Sequence, residues 1–279
     1  QEAFTKKNKQ IECISNSFLT LTYLRLKKLP PAKEAIEKAK ALIPEIKDIN
    51  TLGYYYYALY RYKYYIDDNT FQEDLIKALS YFEKSKNYDF ATLCAIGIAN
   101  SSEFVNEKFL QKSQEYIKLI DNNDILLEAQ LCKATFYKEH YLNSPKKKNK
   151  DQVISEFEKA IQLAQKNTYN KMNVAVAYLN YANFLVTIKE SESKIMPLVN
   201  QALFFAKKYG IVSVVRNCYG IKGLLFINRN NLNEAENSFL QGINYLKTLP
   251  FKEFETEKKF YNNLKEIASA KKDFTTFHK

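Results

Sequence analysis

Between Tyr219 and Pro250, small and large side chains alternate at fixed offsets, and this pattern constrains the fold more than any other stretch of the chain. Tyr219, Gly223 and Phe226 come first, and Ala235, Phe239 and Gly242 follow the polar run Asn228-Arg229-Asn230-Asn231. Offsets of three and four place each set on one face of a helix. Gly223, Ala235 and Gly242 let two antiparallel helices approach closely, and the aromatics interlock in the space left by the small residues. The stretch reads as one helical hairpin.

The second half of this rhythm returns upstream, as Ala78-x3-Phe82-x2-Ser85, Val153-x3-Phe157-x2-Ala160 and Ile195-x3-Val199-x2-Ala202. Tyr178-x2-Tyr181-Ala182-x2-Leu185 returns the first half. Phe157, Val199 and Phe239 stand 42 and 40 residues apart. The pattern resembles the tetratricopeptide repeat, in which the first helix carries an aromatic, a Leu-Gly pair and an aromatic, and the second an Ala and an aromatic. Tyr219, Gly223, Phe226, Ala235 and Phe239 match it; Lys222 replaces the Leu, and Pro250 falls slightly late. A period near 40 exceeds the 34 of the simplest arrays and implies longer helices, a variant found in bacterial tetratricopeptide sensor and regulator proteins. The resemblance implies an all-α fold, a right-handed superhelix of antiparallel helix hairpins.

On this reading residues 1–279 form one solenoid with hairpins at 8–46, 51–87, 89–121, 124–168, 172–210 and 212–249. A truncated seventh spans 252–279, where Ala270 to Phe274 resembles the turn at Asn228 to Leu232. Pro30-Pro31 and Pro44 bound the second helix, Asp67-Asp68-Asn69 forms a turn and cap, and Tyr209-Gly210 is a helix end. Ser101-Ser102-Glu103 is expected to cap a helix starting at Phe104. Lys146 to Lys150 is expected to be an exposed basic loop. Glu253 to Lys271 has an amphipathic period and reads as a capping helix.

Composition agrees with a helical chain, since Gly and Pro number six each among 279 residues and breakers are needed in quantity only by turn-rich folds. With 21 Tyr, 19 Phe and no Trp, aromatics supply the interhelix packing, and some tyrosines of the run Tyr54 to Tyr65 must face outward. The formal charge of +11 comes almost wholly from Lys on mixed helical faces such as Glu34 to Lys40. Nucleic-acid forks prefer Arg, and Arg occurs only at positions 25, 61, 216 and 229. Nucleic acid is therefore not the expected partner.

Cys13, Cys94, Cys132 and Cys218 lie far apart among apolar neighbours, as small core residues do, and unpaired thiols favour a reducing compartment. A start at Gln1 instead suits a processed, exported domain or an excised segment, so cytoplasmic and extracytoplasmic placement both remain open. No apolar run is long enough to span a membrane. His140 and His278 have no ligand partner at helical spacing, so no metal or cofactor is expected. Phosphate-loop, nucleophile-elbow, zinc-protease and dinucleotide fingerprints are all missing, which favours a non-enzyme.

In the solenoid that the resemblance implies, first helices line a concave groove. The inward positions are Tyr55, Leu59 and Tyr62 early, Leu131 and Thr135 centrally, and Leu179, Asn183, Val186, Asn217, Leu224 and Asn228 late. Asparagine amides donate and accept, which suits an extended peptide backbone, although they also satisfy nearby helix ends. Leu179 and Leu224 stand where the family's terminal-carboxylate clamp needs polar groups, so that specificity is not expected. The leading expectation is a protein- or peptide-binding region of a larger signalling or transcription-regulating protein, with an output domain beyond Lys279. The alternative is a free-standing scaffold or adaptor.

Overall fold

The structure is a computed structural model that describes residues 2–101, 106–166, 171–250 and 252–271. Among them every regular element is helical, and consecutive helices pack as antiparallel pairs. The chain divides into two compact units, Gln1–Val153 and Ile154–Lys279.

The first unit holds α1 (Glu2–Arg25), α2 (Leu29–Leu42), α3 (Ile49–Tyr65), α4 (Phe71–Lys84), α5 (Tyr88–Ala99), α6 (Glu107–Tyr116) and α7 (Asn123–Asn143). Its core passes from pair to pair. Cys13, Ile36, Ala39, Tyr55 and Ala58 join α1, α2 and α3. Tyr60, Leu75, Ala78, Phe82, Ala91, Cys94 and Tyr116 join α3 through α6. Ile96, Ala99, Leu110, Ala129 and Cys132 join α5, α6 and α7. Each pair thus buries its apolar face against the next one in sequence, the nearest-neighbour stacking of a repeat array.

α8 (Lys147–Lys166) contains the boundary between the units and belongs to the second from Ile154 onward. The second unit continues with α9 (Lys171–Thr187), α10 (Glu192–Lys208), α11 (Val212–Asn228), α12 (Leu232–Lys247) and α13 (Phe254–Lys271). Phe157 of α8 stacks on Tyr181 and Phe184 of α9, and Tyr178 of α9 stacks on Phe205 of α10. Phe239 of α12 meets Phe260 of α13 at 5.6 Å between ring centroids.

One turn geometry recurs in both units. Lys27, Asp67, Lys86, Lys189, Gly210 and Asn230 each have φ between 55° and 67°. In each case the following N–H reaches back five residues to a helical carbonyl, for example Asn231 to Phe226 and Lys28 to Tyr23. This left-handed cap satisfies carbonyls that the helix end would leave unbonded. The sequence marks only Gly210 as such an end by residue type. At Asp67 the polar run is a turn as expected, with the Asp68 carboxylate accepting from the N–H and hydroxyl of Thr70.

Several boundaries differ from expectation. The basic run is not a loop: α8 starts at Lys147, with the N–H groups of Asn149 and Lys150 donating to the Lys146 carbonyl. Lysine is a good helix former, and Pro145 just upstream leaves the helix free to begin there. α1 begins at Glu2, before the expected Asn8. α6 begins at Glu107 after Asn106, while Ser101 donates its hydroxyl back to the Ile98 carbonyl at the end of α5. The rest of the expected cap, Ser102-Glu103, lies outside the described residues, as do the turn at 272–274 and His278.

Candidate functional site

The pairing rule read from the sequence is visible as a contact between α11 and α12. A Cβ placed on Gly223 would overlap the Phe239 ring, so the ring occupies the space that glycine leaves. Gly53 of α3 bears the same relation to Phe82 of α4, where an added Cβ would lie 2.7 Å from the ring. Gly242 then receives the next helix: its Cβ would come 2.5 Å from Phe260. In the pair α11 and α12 a glycine on the first helix admits an aromatic of the second, and the second admits an aromatic of α13; α3 and α4 share the first of these contacts. This is a tetratricopeptide-like helical repeat. Among the described residues thirteen helices pack against their neighbours in sequence.

No protein-family model matches the chain, and a search of curated proteins finds no match. Among solved structures the chain is similar to the crystal structure of a STAND (signal transduction ATPase with numerous domains) protein with a tetratricopeptide repeat sensor from Pyrococcus horikoshii. The identity is 16%, the TM-score 0.46, and the match covers 95% of this chain. The chain spans about a third of that protein, 34% of its length.

The expected inward positions divide by unit. Tyr55 is buried in the core shared with α1 and α2, and Leu59 and Tyr62 pack half-buried against the same cluster. Leu131 is buried on α7 and Thr135 half-buried. Beside the buried stripe, the α3 residues Tyr54 and Tyr57 meet Phe90 of α5 at 4.9 and 5.5 Å, and Phe18 of α1 meets Tyr54 at 5.3 Å. One residue along a helix turns the side chain by about 100°, so a shift from Tyr55 to Tyr54 changes the neighbour from α2 to α5.

In the second unit three of the expected residues converge. Asn183 of α9 and Asn217 and Leu224 of α11 line one groove of about 460 Å³. Its floor includes Gly220, Ile221 and Phe239, and α13 supplies the far wall through Glu255, Thr256, Lys259 and Asn263. Leu179 is on the buried side of α9 and Val186 is half-buried; Asn228 is exposed at the end of α11, and none of the three lines the groove.

Among the described residues the side-chain amides of Asn183 and Asn217 make no hydrogen bond. Asparagines that serve the fold look different. Asn87 donates to Asn50 at 2.9 Å and to the Tyr54 hydroxyl at 3.0 Å, and Asn231 accepts from the Glu234 N–H to cap α12. Asn183 and Asn217 sit mid-helix, and both are exposed. They are therefore not satisfying helix ends.

Arg216 also enters the groove, where sequence reasoning did not place it. Its Nη1 donates to Glu253 at 2.5 Å and to the Thr256 hydroxyl at 3.4 Å. That orientation depends on a residue 37 positions away, and no local pattern announces it. Lys259 and Asn263 lie in the expected truncated seventh hairpin, none of whose residues was singled out for the groove; Asn263 donates to the Lys259 carbonyl.

Among the described residues there is no cluster of His, Cys, Asp and Glu able to hold a metal, and no helix is long and apolar enough to cross a membrane. His140 is exposed at the end of α7 with its ring edge-on to Phe136, 4.3 Å between centroids. The four cysteines are free and buried. Burial pushes the Cys13 thiol up to about 11 and those of Cys132 and Cys218 up to about 12, far from nucleophilic use.

Proposed function

We propose that this chain is a non-catalytic binding domain that takes an extended peptide, or an extended segment of a protein, in the groove across α9, α11 and α13. The observation that carries this reading is the pair of unbonded amides at Asn183 and Asn217 in one groove. An extended backbone presents unpaired N–H and C=O groups to such amides, whereas the backbone of a helical ligand is already satisfied. Leu224, 48% exposed, offers an apolar seat beside them. Arg216 and Lys259 add cationic donors, with Glu255 as the acidic counterpart, so charged ligand side chains of either sign find a partner.

The wider role we infer is that of a sensing or interaction region in a larger signalling or transcription-regulating protein. The tetratricopeptide-like fold supports that reading because repeats of this kind present extended binding surfaces.

The test starts from a random linear peptide library selected on the immobilised chain, followed by fluorescence-anisotropy titration of the best binder. Asn217→Ala and Leu224→Asp should each weaken binding about tenfold, the scale of one lost hydrogen bond or one desolvated contact. Leu240→Asp, on the exposed side of α12, should leave it unchanged. Equal binding by all three variants would remove the groove from consideration. A single-stranded oligonucleotide that competes with steep salt dependence would point to nucleic acid instead.

A further inference from the structure

The chain has six glycines, and the fold accounts for five of them. The rings of Phe82, Phe239 and Phe260 fill the space beside Gly53, Gly223 and Gly242, and a Cβ on Gly97 would come 3.1 Å from Leu75. Gly210 has φ at +67°. Gly220 has neither cause. It sits in the middle of α11, and a Cβ there would meet Phe260 Cε1 at 3.7 Å; among the described residues no other atom outside α11 comes within 4 Å. A glycine inside a helix is less stable than an alanine, so neither packing nor backbone explains the missing side chain. Gly220 lies on the floor of the groove. One turn earlier on the same face Asn217 presents its unbonded amide, and one turn later Leu224 presents its exposed side chain.

We propose that the gap at Gly220 seats one large apolar side chain of the ligand, so that the partner is an extended segment carrying such an anchor residue. This inference rests on the groove being the ligand site. Beside the gap, Ile221, Phe239 and Phe260 are all buried and offer no side-chain donor or acceptor, so a polar tip placed there would be desolvated and unpaired. Leu224, on the α11 side, adds the exposed apolar surface that the anchor covers. The amides of Asn183 and Asn217 hold the backbone of the segment. Successive side chains of an extended chain point to opposite sides, so the anchor faces the floor while its two neighbours face away. A methyl group at position 220 takes space from the anchor, which makes Gly220 the specificity-determining residue of the groove.

Two selections from the random linear peptide library test this, one on the unsubstituted chain 1–279 and one on Gly220→Leu. The first pool should be enriched in Leu, Ile, Met or Phe at one position, and the second should lose that enrichment. For the best binder of the first pool, replacing the anchor by Ala should weaken binding about tenfold, the scale of one buried large apolar side chain. Gly220→Leu should weaken it about tenfold as well. The two changes should not add: Gly220→Leu should bind the peptide and its anchor-to-Ala form within about twofold of each other, because the leucine already occupies the seat. The urea midpoint of Gly220→Leu should be no lower than that of the unsubstituted chain, which separates lost binding from lost folding. Gly220→Ala, the smaller change, should weaken the peptide about threefold and decides the matter if the leucine lowers the midpoint.

Undiminished binding by the Gly220 variants, with binding lost in Asn217→Ala, would overturn the seat and leave the groove standing. A first pool without an apolar position, or additive losses in the cycle, would also overturn the seat alone. Equal binding by Asn217→Ala, Leu224→Asp and Gly220→Leu, or failure to select any peptide, would overturn the groove reading and the seat with it.

Discussion

Gly220 and Gly223 lie three residues apart on one helix and have opposite uses. The nearest atom to a Cβ on Gly220 would be Phe260 Cε1 at 3.7 Å, an ordinary contact, whereas at Gly223 the Phe239 ring already fills the space. Gly220→Ala should therefore be neutral or stabilise by up to about 1 kcal/mol through helix propensity. Gly223→Ala should destabilise by about 1–3 kcal/mol through overpacking, and part of that loss should return in Gly223→Ala/Phe239→Leu. Urea denaturation midpoints of the three variants check this, and equal effects at the two glycines would contradict the packing assignment. The small-large alternation predicts Gly223 facing Phe239 because that contact is local to one hairpin. Asn183, Asn217 and Leu224 were legible through the same register. Arg216, Lys259 and Asn263 were not, since their place in the groove depends on how α13 docks, and docking is set by contacts distant in sequence.

Helix ends show how an element can be specified without its usual residue. Five of the six left-handed caps carry a side chain, and only Gly210 is glycine. An L-residue in this conformation costs about 1 kcal/mol, so Lys86→Gly and Lys189→Gly should each stabilise by about 0.5–1 kcal/mol, with Gly210→Ala losing about 1 kcal/mol. Thermal or urea unfolding reads both signs, and stabilisation by Gly210→Ala would be incompatible with φ at +67°. The helices themselves were legible from their apolar period. Boundaries were less so. Lys146 to Lys150 read as a loop because four lysines suggest solvent, yet lysine is also a good helix former and the first turn of α8 is built from this run. The rhythm shared by Ala78-x3-Phe82 and Ala235-x3-Phe239 hides another difference. Phe82 lies 15 residues beyond the left-handed turn at Asp67, and Phe239 lies nine beyond Asn230, so the glycine contact moves nearly two helical turns along the pair.

At the scale of the whole molecule, acids buried in their neutral form couple stability to alkaline pH. Burial pushes Cys13 to about 11 and Cys132, Cys218 and Tyr181 to about 12; a hydrogen bond to Asn100 partly offsets this at Cys132, and Glu158 adds to it at Tyr181. Burial raises Cys94, Tyr55 and Tyr57 as well. These pKa values exceed the unfolded ones, near 8.5 for thiols and 10 for phenols, so the folded chain keeps protons that the unfolded chain releases. Their stabilising contribution is complete below the thiol value and is lost as pH climbs toward the folded values. The urea midpoint should fall steadily from about pH 9 to 12 in both units, with tyrosinate absorbance rising together with unfolding. A midpoint unchanged to pH 11 would mean that these groups are solvated.

The recurring caps also bear on the chirality of the chain. At Lys27, Asp67, Lys86, Lys189 and Asn230 an L-residue adopts, for one step, the backbone sense natural to its mirror image. A hairpin assembled by chemical synthesis could carry a D-amino acid at any of these positions without changing its path, whereas the same exchange one residue earlier would break the helix.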